Sequence, residues 1–439
     1  MEKSGAMSDA TRAVETEEGQ ERLVRRLADG EIGFHQLPED LSAEERARIR
    51  RRALEEITGS SLEHVGHYSL DGDRASDQNC ENFIGAAQVP MGVVGPLELH
   101  GDHVDGEIVA PLATTEAALV ASTNRGCSAL TAAGGATVRV EDVGMTRAPV
   151  FRTSGLEETR EFLEWVREHE DEIREVAEES SRYLELLEIK PRHFGSTVFL
   201  RFRFDCTDAM GMNMVTIACD RIVRQLIEPE TGIECVALSG NYCVDKKPAG
   251  VNFEEGRGKR VFAEAVIDES VLREKLKTSA GDLVEVQYRK NMLGSIAAGS
   301  KGFNAHYANM VAAFFLATGQ DPAHVVEGAM GVTCVERNGP ESLYVSIYMP
   351  DVPIGAVGGG TSLATQREAL SLMGVEVDPD RPGAAVARLG EILGGVVLAG
   401  ELSLLAAFTS RDLAVSHERL SRPGTAPRLS GPFPPPDRS

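Results

Sequence analysis

Four ionisable residues lie in segments where packing alone does not require a charge. They are Glu116 in ATTEAALVASTNRG, Lys246 in LSGNYCVDKKPAG, Asp321 in FNAHYANMVAAFFLATGQDPAH and His417 in RDLAVSHERLSR. The chain contains nine Lys against 36 Arg, so a retained Asp-Lys-Lys-Pro segment suggests that an ammonium is needed there. A lysine ammonium is a compact, proton-bearing charge whose pKa can be tuned, and a guanidinium is neither compact nor tunable.

Each of these four residues also has a purely structural interpretation. Glu116 can favour the N-terminus of a helix, and His417 can end a polar surface helix. Lys246 and Asp321 can each belong to an exposed turn that precedes a proline. Taken one at a time, the residues favour the structural interpretation.

Two further segments suit a large ligand, although each has a plainer explanation. Residues 208–216 (DAMGMNMVT) place three Met around Gly211 and Asn213. Such a cluster is soft core filling or an adaptable surface against an aromatic ligand. Residues 355–362 (GAVGGGTS) form either a flexible turn or a place where backbone N–H groups approach a phosphate. The sequence contains no P-loop, no HExxH and no GxGxxG after a strand.

The composition is that of a globular protein with a strongly acidic surface. The 439 residues include 68 Asp and Glu against 45 Lys and Arg, and the net charge is −23. This length predicts two or three domains, and the acidity argues against nucleic acid and an anionic membrane as partners. A dense carboxylate surface with little Lys indicates adaptation to concentrated salt. An ordinary acidic protein from a GC-rich gene is the alternative.

The cysteines and the N-terminus indicate a cytoplasmic protein. Seven Cys are scattered without CxxC or Cys/His spacing, which is typical of reduced thiols. Residues 1–20 are polar and lack the apolar core of a signal peptide. The long apolar stretch at residues 392–410 is interrupted by Glu401 and several Gly, which favours a buried helix over a membrane span.

The patterning predicts a mixture of helices and strands. We expect helices at residues 21–29, 42–57, 156–189, 221–227, 308–318 and 383–409, and strands at 197–204 and 235–238. Ser42 and Glu45 form a capping-box pattern. Thr114 or Thr115 is predicted to cap a helix with Glu116 in its first turn. Residues 79–99 predict strands and tight turns.

Together these segments resemble class I 3-hydroxy-3-methylglutaryl-CoA (HMG-CoA) reductases. The matching motifs occur in the family's order from about residue 68 to residue 417: ENFIGAAQVPMGVVGPL, ATTEAALVASTNRG, GMTR, DAMGMNM, LSGNYCVDKKPAGVNFEEGRGK, KNMLGS, GFNAHYANMV, GQD, GGGTS and SH. The resemblance implies NADPH-dependent reduction of HMG-CoA to mevalonate and CoA, with two NADPH per turnover and no metal. It is closest to the soluble prokaryotic form, and the composition points to a halophilic archaeon.

The resemblance implies a role for each of the four ionisable residues. Lys246 would stabilise the developing oxyanion, and Glu116 would supply a proton to that oxygen. Asp321 would tune the Lys and Glu pair. His417 would protonate the CoA thiolate, a task that suits an imidazole near neutral pH.

The resemblance also implies two sets of binding residues. The HMG-CoA set is Glu81, Ser122, Asn124, Arg125, Arg147, Ser239, Asp245, Lys247, Lys290 and Asn309, of which Arg147, Lys247 and Lys290 suit the free carboxylate of the HMG group. The NADPH set is Ser181, Arg182, Tyr183, Asp208, Met210, Gly211, Met212, Asn213, Met214 and Arg422, of which Arg182 and Arg422 are candidates for the 2′-phosphate.

The implied fold is α+β, with a large α/β HMG-CoA-binding domain that is interrupted by a small ferredoxin-like NADP-binding domain. We expect an N-terminal helical arm at residues 1–75, the large domain at 76–147 and 239–420, the small domain at 148–238 and a flexible tail at 421–439. The resemblance implies a homodimer or homotetramer in which the Asp-Lys-Lys loop reaches a neighbour's Glu.

Several features leave alternatives open. The chain has Ala117 and Ala118 where many relatives have Gly and Cys, a difference that should alter packing and not chemistry. Pro423 stands where animal enzymes carry a regulatory phosphoserine, so that control is not expected. An oxidative, NAD-linked direction and a CoA- or nucleotide-binding protein without turnover are the competing functions.

Overall fold

The computed structural model describes residues 16–410, and the strands of this part form one mixed sheet. The strands are β1 Met91–His100, β2 Asp105–Ala113, β3 Ala136–Arg147, β4 Val150–Arg152, β5 Glu185–Phe194, β6 Thr197–Asp205, β7 Glu234–Ala237, β8 Arg257–Asp268, β9 Gly302–Phe303, β10 Gly331–Arg337 and β11 Ser342–Val352. Their order is β7-β4-β6-β3-β8-β11-β10-β9, with β1 and β2 attached beside β3 and β5 beside β6. The β1–β3 and β9–β10 pairs are parallel, and the other strand pairs are antiparallel.

Helices cover the faces and ends of this sheet. The α-helices are α1 Glu17–Ala28, α2 Ala43–Thr58, α3 Gly72–Gln78, α4 Leu119–Ala132, α5 Leu156–Glu168, α6 Glu170–Glu178, α7 Met212–Ile222, α8 Glu228–Thr231, α9 Gly250–Glu255, α10 Glu269–Val271, α11 Ala280–Val286, α12 Ser295–Ala298, α13 Tyr307–Thr318, α14 Val325–Gly328, α15 Ala364–Leu372 and α16 Ala384–Ser410. Shorter π-helical and 3-10 segments are Val223–Ile227, Leu272–Leu276, Gln287–Gly294, Pro322–His324 and Gly359–Ser362.

Strand β3 joins two parts of the molecule. Its first part, from Thr137 to Gly144, pairs with β8, and its last three residues pair with β6. The register shifts between Asp142 and Gly144, where the strand leaves one neighbour for the other. Arg147, the last residue of β3, is therefore carried from the first part into the second.

The largest hydrophobic core surrounds α16 and includes side chains from α4, α13 and the β1–β3–β8–β11 strands. A Cβ on Gly126 would lie 1.9 Å from the carbonyl oxygen of Ala399, so glycine lets α4 approach α16 closely. Among the described helices, α16 contains a stretch that is long and apolar enough to cross a membrane, Ala384–Thr409. However, 83% of the most apolar window of this stretch is buried in the protein. A buried core helix, as predicted, accounts for that composition.

A second core lies where β4, β5 and β6 pack against α5, α6 and α7. Phe151, Phe202 and Phe204 are fully buried there. Phe202 and Phe204 are two residues apart in β6, so their rings point to the same face of the sheet. A third, smaller core is formed by α1, α2 and the chain between them.

Most of the predicted elements are present, and two predictions are wrong in detail. The capping box of Ser42 and Glu45 is formed as predicted. Residues 185–189, predicted as helix, begin strand β5. Glu116 does not lie in a helix: α4 begins at Leu119, after Ala118 adopts a φ of 69°. The Thr114 hydroxyl instead accepts a hydrogen bond from the Glu116 main-chain N–H, at 3.0 Å.

Candidate active site

Lys246 lies in the connection between β7 and α9 and forms an ion pair with Asp321. The two side chains approach to 2.7 Å, from Nζ to Oδ2, and are 42% and 35% exposed. Lys246 has a φ of 56°, a left-handed conformation that is unfavourable for a side chain with a Cβ. Its main-chain N–H donates to the carboxylate of Glu327, so a buried acid holds the backbone in this conformation.

A layer of buried charge lies beneath this ion pair. Arg257, the first residue of β8, contacts Asp245 at 2.9 Å and Glu327 at 3.4 Å. His324 directs Nδ1 to the same Glu327 oxygen at 3.3 Å. Arg257, His324 and Glu327 are all fully buried. Buried charges persist where they are paired and hydrogen-bonded. This group therefore sets the conformation of the connection that carries Lys246, the lysine loop of residues 238–249.

A second buried group extends this layer. Asn252 donates at 3.1 Å to the carbonyl oxygen of Val244 and at 2.8 Å to Asp351 Oδ2. Arg201, which is also buried, donates to the Asn252 side-chain oxygen. Burial raises the pKa of Asp351 to about 8, although the positive charge of Arg257 opposes this shift. The described residues therefore place a carboxyl that readily holds a proton under the lysine loop.

The pKa directions of the ion pair favour the charged form of both partners. The hydrogen bond with Asp321 is the main cause that raises the pKa of Lys246. Burial acts to raise the pKa of Asp321, but the hydrogen bonds from Lys246 and from the Ala323 main chain hold it below its ordinary value. The ammonium is therefore a stable positive charge at neutral pH.

Glu116 contacts a separate group of residues. Its Oε1 accepts a hydrogen bond from Asn309 at 3.3 Å, and Asn309 also contacts His306 Nδ1 at 3.3 Å. Glu401, fully buried in α16, accepts hydrogen bonds from the main-chain N–H of His306 at 2.6 Å and from the Thr333 hydroxyl at 2.7 Å. Asn309 is thus oriented by the segment before α13, and Glu116 itself is exposed.

The predicted catalytic residues therefore form two groups in the described part of the chain. Lys246 and Asp321 contact each other. Glu116 contacts Asn309, a predicted HMG-CoA ligand. His417, the predicted thiolate acid, lies outside the described residues.

The remaining predicted HMG-CoA ligands contact several different elements. Ser122 and Arg125, both in α4, contact Ser403 of α16, with the Arg125 Nε bond at 3.0 Å. Asn124 accepts a hydrogen bond from the Gly95 main chain at 2.9 Å. This arrangement places polar side chains of α4 between β1 and α16.

Two of the cationic side chains predicted to bind the HMG carboxylate have their charged groups in contact with other residues of the chain. Arg147 donates to the Thr216 hydroxyl, with its shorter bond at 2.6 Å, which brings it against α7 and the predicted NADPH segment. Lys290 Nζ lies 5.1 Å from the centre of the Phe408 ring, and burial lowers its pKa.

The other members of the HMG-CoA set are more exposed or have weaker contacts. Lys247 Nζ donates to the Asp245 carbonyl at 3.1 Å. Ser239 contacts the Cys243 thiol at 3.7 Å. Glu81 is exposed.

The predicted NADPH residues lie in two places. Met210 precedes Gly211, which has a φ of 94° and immediately precedes α7, and the first turn of this helix carries Met212, Asn213 and Met214. A Cβ at Gly211 would lie 2.2 Å from Cys206 Sγ, so the approach to α7 requires glycine.

Asp208 has a structural contact in this region. Its carboxylate accepts hydrogen bonds from the main chains of Gly383 at 2.9 Å and Val386 at 3.1 Å, at the N-terminus of α16. A carboxylate in this position satisfies unpaired helix N–H groups. Both of its oxygens are therefore engaged within the protein.

The second place is the turn between α6 and β5. Arg182 donates to the Tyr183 hydroxyl and lies 4.6 Å over its ring. Ser181 accepts a hydrogen bond from the Tyr183 main chain at 3.2 Å. This arginine is exposed, as a partner for an incoming phosphate would be. Arg422 lies outside the described residues.

The sequence interpretation missed the charges that support the lysine loop. Arg257 stands in the quoted GRGK motif, and His324 and Glu327 follow Asp321 in DPAHVVEG. A signal was present, because these charges interrupt otherwise apolar segments. Asp245, His324 and Glu327 also have donor atoms within 4.8 Å of one another, close enough for a metal ion. The Arg257 guanidinium already contacts two of these three residues and supplies positive charge there.

Comparison with known proteins gives a consistent relationship. Residues 46–422 match the family model described as hydroxymethylglutaryl-coenzyme A reductase. The chain is 49% identical over 405 residues to the 3-hydroxy-3-methylglutaryl-coenzyme A reductase of Pyrococcus abyssi, covering 92% of this chain and 99% of that protein. It is 48% identical over 400 residues to the Halobacterium salinarum enzyme of the same name, covering 91% and 98%.

Solved structures show the same fold. A class II 3-hydroxy-3-methylglutaryl-CoA reductase from Streptococcus pneumoniae, bound to NADPH in open conformations, superposes with a TM-score of 0.61 at 18% identity, and the match covers 92% of this chain and all of that one. At that identity the likeness concerns the fold, whereas the family match and the archaeal relatives concern the whole described site. The chain belongs to the HMG-CoA reductase family.

Proposed function

We propose that this protein catalyses the four-electron reduction of (S)-HMG-CoA to (R)-mevalonate and CoA, as part of the mevalonate pathway of isoprenoid biosynthesis. The family match over residues 46–422 carries this proposal. The ion pair of Lys246 and Asp321 supports it, because it holds an ammonium in a charged form, and a carbonyl reduction needs positive charge beside the developing oxyanion.

NADPH, when bound, supplies a hydride in each of the two reductions. The thioester carbonyl first becomes a hemithioacetal, which releases the CoA thiolate and leaves mevaldehyde. Reduction of the aldehyde then yields mevalonate. Negative charge develops on the same carbonyl oxygen in both hydride transfers, so one cationic group can serve twice.

Lys246 is the group that stabilises this oxyanion. Its pKa is raised chiefly by the hydrogen bond with Asp321, so it stays protonated while the oxyanion forms. Glu116 supplies or shares the proton that the oxygen takes up. Asp321 keeps the ammonium in place, and His417 gives a proton to the departing thiolate, because a thiol is a better leaving group than a thiolate.

The residues near α7 fit a dinucleotide. Asn213 is exposed in the first turn of α7 and follows a glycine in the left-handed region, so this turn offers polar groups to a ligand. Arg182 is an exposed cation for a phosphate, and this role supports NADPH over NADH. The DAMGMNM motif supports class I. Asp208 then acts by fixing this segment against α16.

The small NADP-binding domain is assigned to residues 148–238. In support of a ferredoxin-like arrangement, the chain order there is strand, helices, two strands, helix, strand, and the strand order is β7-β4-β6-β5. The large HMG-CoA-binding domain then comprises residues 76–147 and 239–420, with the helical arm before it. The free cysteines support a cytoplasmic enzyme.

The active site is proposed to form between subunits of a homodimer or homotetramer. Within one chain, Lys246 contacts Asp321 and Glu327, whereas Glu116 contacts Asn309 and Thr114. The separation of these contacts supports a site in which the lysine loop meets the glutamate of a neighbouring copy.

The test is NADPH oxidation followed at 340 nm with HMG-CoA, with NADH at equal concentration as the comparison. We expect consumption of about two NADPH per HMG-CoA and a clear preference for NADPH. A strong preference for NADH, or faster NAD-linked oxidation of mevalonate, would favour the oxidative direction. Binding of both ligands without turnover would favour a binding protein.

Co-expression tests the shared site. Lys246→Ala and Glu116→Gln chains alone are each expected to keep about 1% of the wild-type activity or less, but a hybrid dimer has one intact site of two. With equal expression, about one quarter of the wild-type activity should return. Activity that stays at the level of the single variants would place each site within one chain.

A further inference from the structure

Two buried residues that follow Asp321 contact both partners of the ion pair. His324 and Glu327 are fully buried. His324 Nε2 lies 3.8 Å from Asp321 Oδ2, and Glu327 accepts the main-chain N–H of Lys246. Neither residue is needed to bind HMG-CoA or NADPH in the function proposed above.

We propose that Glu327 and His324 are positioning residues for the oxyanion-stabilising ammonium. Glu327 fixes the main chain of Lys246, and His324 fixes the carboxylate of Asp321. The inference rests on the proposed function, because it assigns the two residues to the same reaction.

Glu327 acts through the backbone. A left-handed φ of 56° at Lys246 is disfavoured for a residue with a side chain, so it persists only where the surroundings hold it. Glu327 is the hydrogen-bond acceptor for that N–H, and Arg257, at 3.4 Å, balances its charge. Arg257 in turn contacts Asp245, the neighbour of Lys246. The main chain of Lys246 is therefore held by a closed loop of contacts, and Asp321 holds the ammonium at the end of the side chain.

His324 acts through the carboxylate. Its Nδ1 lies 3.3 Å from the Glu327 carboxylate, and its Nε2 lies 3.8 Å from Asp321 Oδ2. The fully buried ring therefore fills the space between the two carboxylates, and it stops the Asp321 carboxylate from turning inward. Asp321 is left to pair with the ammonium.

Several charges face Lys246 and contribute to its protonation. Asp321, Asp245 and Glu327 all act to raise the pKa of Lys246. The neighbouring cations are Arg257, in contact with Glu327, and the adjacent Lys247. Neutralising Glu327 or displacing Asp321 removes part of the negative charge, so the ammonium should lose its proton at a lower pH.

Kinetics of Glu327→Gln test the first half of the proposal, with Glu336→Gln as the control, since Glu336 is exposed at the end of β10. Misplacement of a reacting group by about 1 Å lowers rates about 100-fold, so we expect kcat to fall by about that factor with both KM values within about threefold. Glu327→Asp, which retains the charge, should recover part of kcat. If Glu327→Gln does not fold, Glu327→Asp and His324→Gln carry the test.

The pH profile of His324→Gln tests the second half, with the exposed His193→Gln as the control. The alkaline loss of kcat should move to lower pH by about one unit in His324→Gln and in Glu327→Gln, a change of about 1.4 kcal/mol in the balance of the two protonation states. A defect that is merely structural would lower the active fraction and leave the profile in place. Wild-type kcat and an unmoved profile in both variants would overturn the proposal.

A readout without turnover separates this inference from the proposed function. Acetic anhydride labelling across a pH series, followed by peptide mass spectrometry, gives a titration curve for Lys246, with exposed Lys301 as the internal reference. The Lys246 curve should move to lower pH in Glu327→Gln and His324→Gln, and the Lys301 curve should not move. An inactive wild-type enzyme with these shifts would reject the function only. Unchanged Lys246 curves would reject the positioning role.

Discussion

The lysine side and the glutamate side of the site are built differently. Lys246 is paired with a carboxylate, its main chain is hydrogen-bonded to a buried acid, and further buried charges lie beneath it. Glu116 is exposed, and within residues 16–410 its side chain makes one hydrogen bond, with the Asn309 amide at 3.3 Å. The segment that carries the Asn309 amide is supported by Glu401, which accepts hydrogen bonds from main-chain N–H groups. Unlike Lys246, Glu116 has no charged partner among the described residues.

The difference indicates how the two residues work. In the proposed mechanism the ammonium needs a fixed charge and position before substrate arrives, and its contacts with Asp321 and Glu327 already form within one chain. In the same mechanism Glu116 supplies a proton, and its exposed carboxylate, bonded to the Asn309 amide, is accessible to a group that another subunit brings beside it. In the proposed oligomer, that new neighbour is the lysine of another copy together with the substrate.

The largest effect should come from removing the charge on the lysine side. Lys246→Ala is expected to lower kcat by at least about 1000-fold, since one oxyanion-stabilising donor is worth about that much. Lys301→Ala, at an exposed position, is the control. Steady-state NADPH oxidation with matched thermal unfolding measures the effect, and an active, folded Lys246→Ala would reject the catalytic assignment.

A smaller loss is expected on the glutamate side. Glu116→Gln keeps an oxygen for the Asn309 hydrogen bond but cannot donate a proton as an acid, and general acid catalysis contributes about 100-fold or more. We expect kcat to fall by that factor while the HMG-CoA KM changes little. Glu107→Gln, an exposed glutamate in β2, is the matched control. Equal losses in kcat and binding would show that Glu116 acts in recognition instead.

The support of the glutamate side is tested by a stability measurement. Glu401→Gln replaces a fully buried carboxylate that accepts two main-chain N–H groups and a hydroxyl. Its amide NH2 would oppose donors, so the free energy of unfolding should fall by about 2–3 kcal/mol. Urea denaturation gives this value. An unchanged midpoint would mean that the segment before Asn309 keeps its conformation without the Glu401 carboxylate.

The charges beneath the lysine loop make a pH-dependent contribution. Because burial raises the folded pKa of Asp351 to about 8, the folded state keeps a proton that the unfolded state has released, and stability falls as pH rises toward 8. Asp351→Asn keeps the Asn252 contact and removes the titration. Relative to wild type, it should gain on the order of 1 kcal/mol for each pH unit between about pH 6 and 8. A constant difference in urea midpoints would contradict this.

Salt should act mainly on exposed charges, so it should affect the exposed glutamate side more than the partly buried lysine side. We expect this effect on activity to be the smallest. From about 0.1 M to 2 M KCl, we expect activity to rise about threefold, since screening reduces repulsion between two anionic ligands and a chain of net charge −23. The alkaline limb, which depends on a partly buried ion pair, should move little. Little loss of activity in dilute buffer would count against salt adaptation.

The pattern of the sequence predicted much of the fold. Apolar periodicity located the long core helix and strand β6, and Ser42 with Glu45 marked the start of α2 correctly. The prediction failed at Glu116, where Ala118 takes a left-handed conformation and delays the helix. That conformation depends on the packing of the loop before α4, which local propensity does not contain.

The sequence also singled out Lys246, Asp321 and Glu116 as candidates by residue type and context, and the resemblance implied their roles. It did not identify Glu327 and Arg257, because their importance follows from contacts with residues far along the chain. Lys246 and Glu327 are separated by 81 positions, and Arg257 lies between them. Only the pairing of β8 with β11 and the turn before α14 bring these charges together.

By itself, the sequence determined the family, the acidic surface and the residue types that can perform the reduction, because these are properties of composition and motif. The tertiary structure decided which of those residues are paired in one subunit and which are left open. The physical reason is that the strength of a charge depends on its burial and on distances of a few ångströms, and both are set by how the sheet and α16 pack.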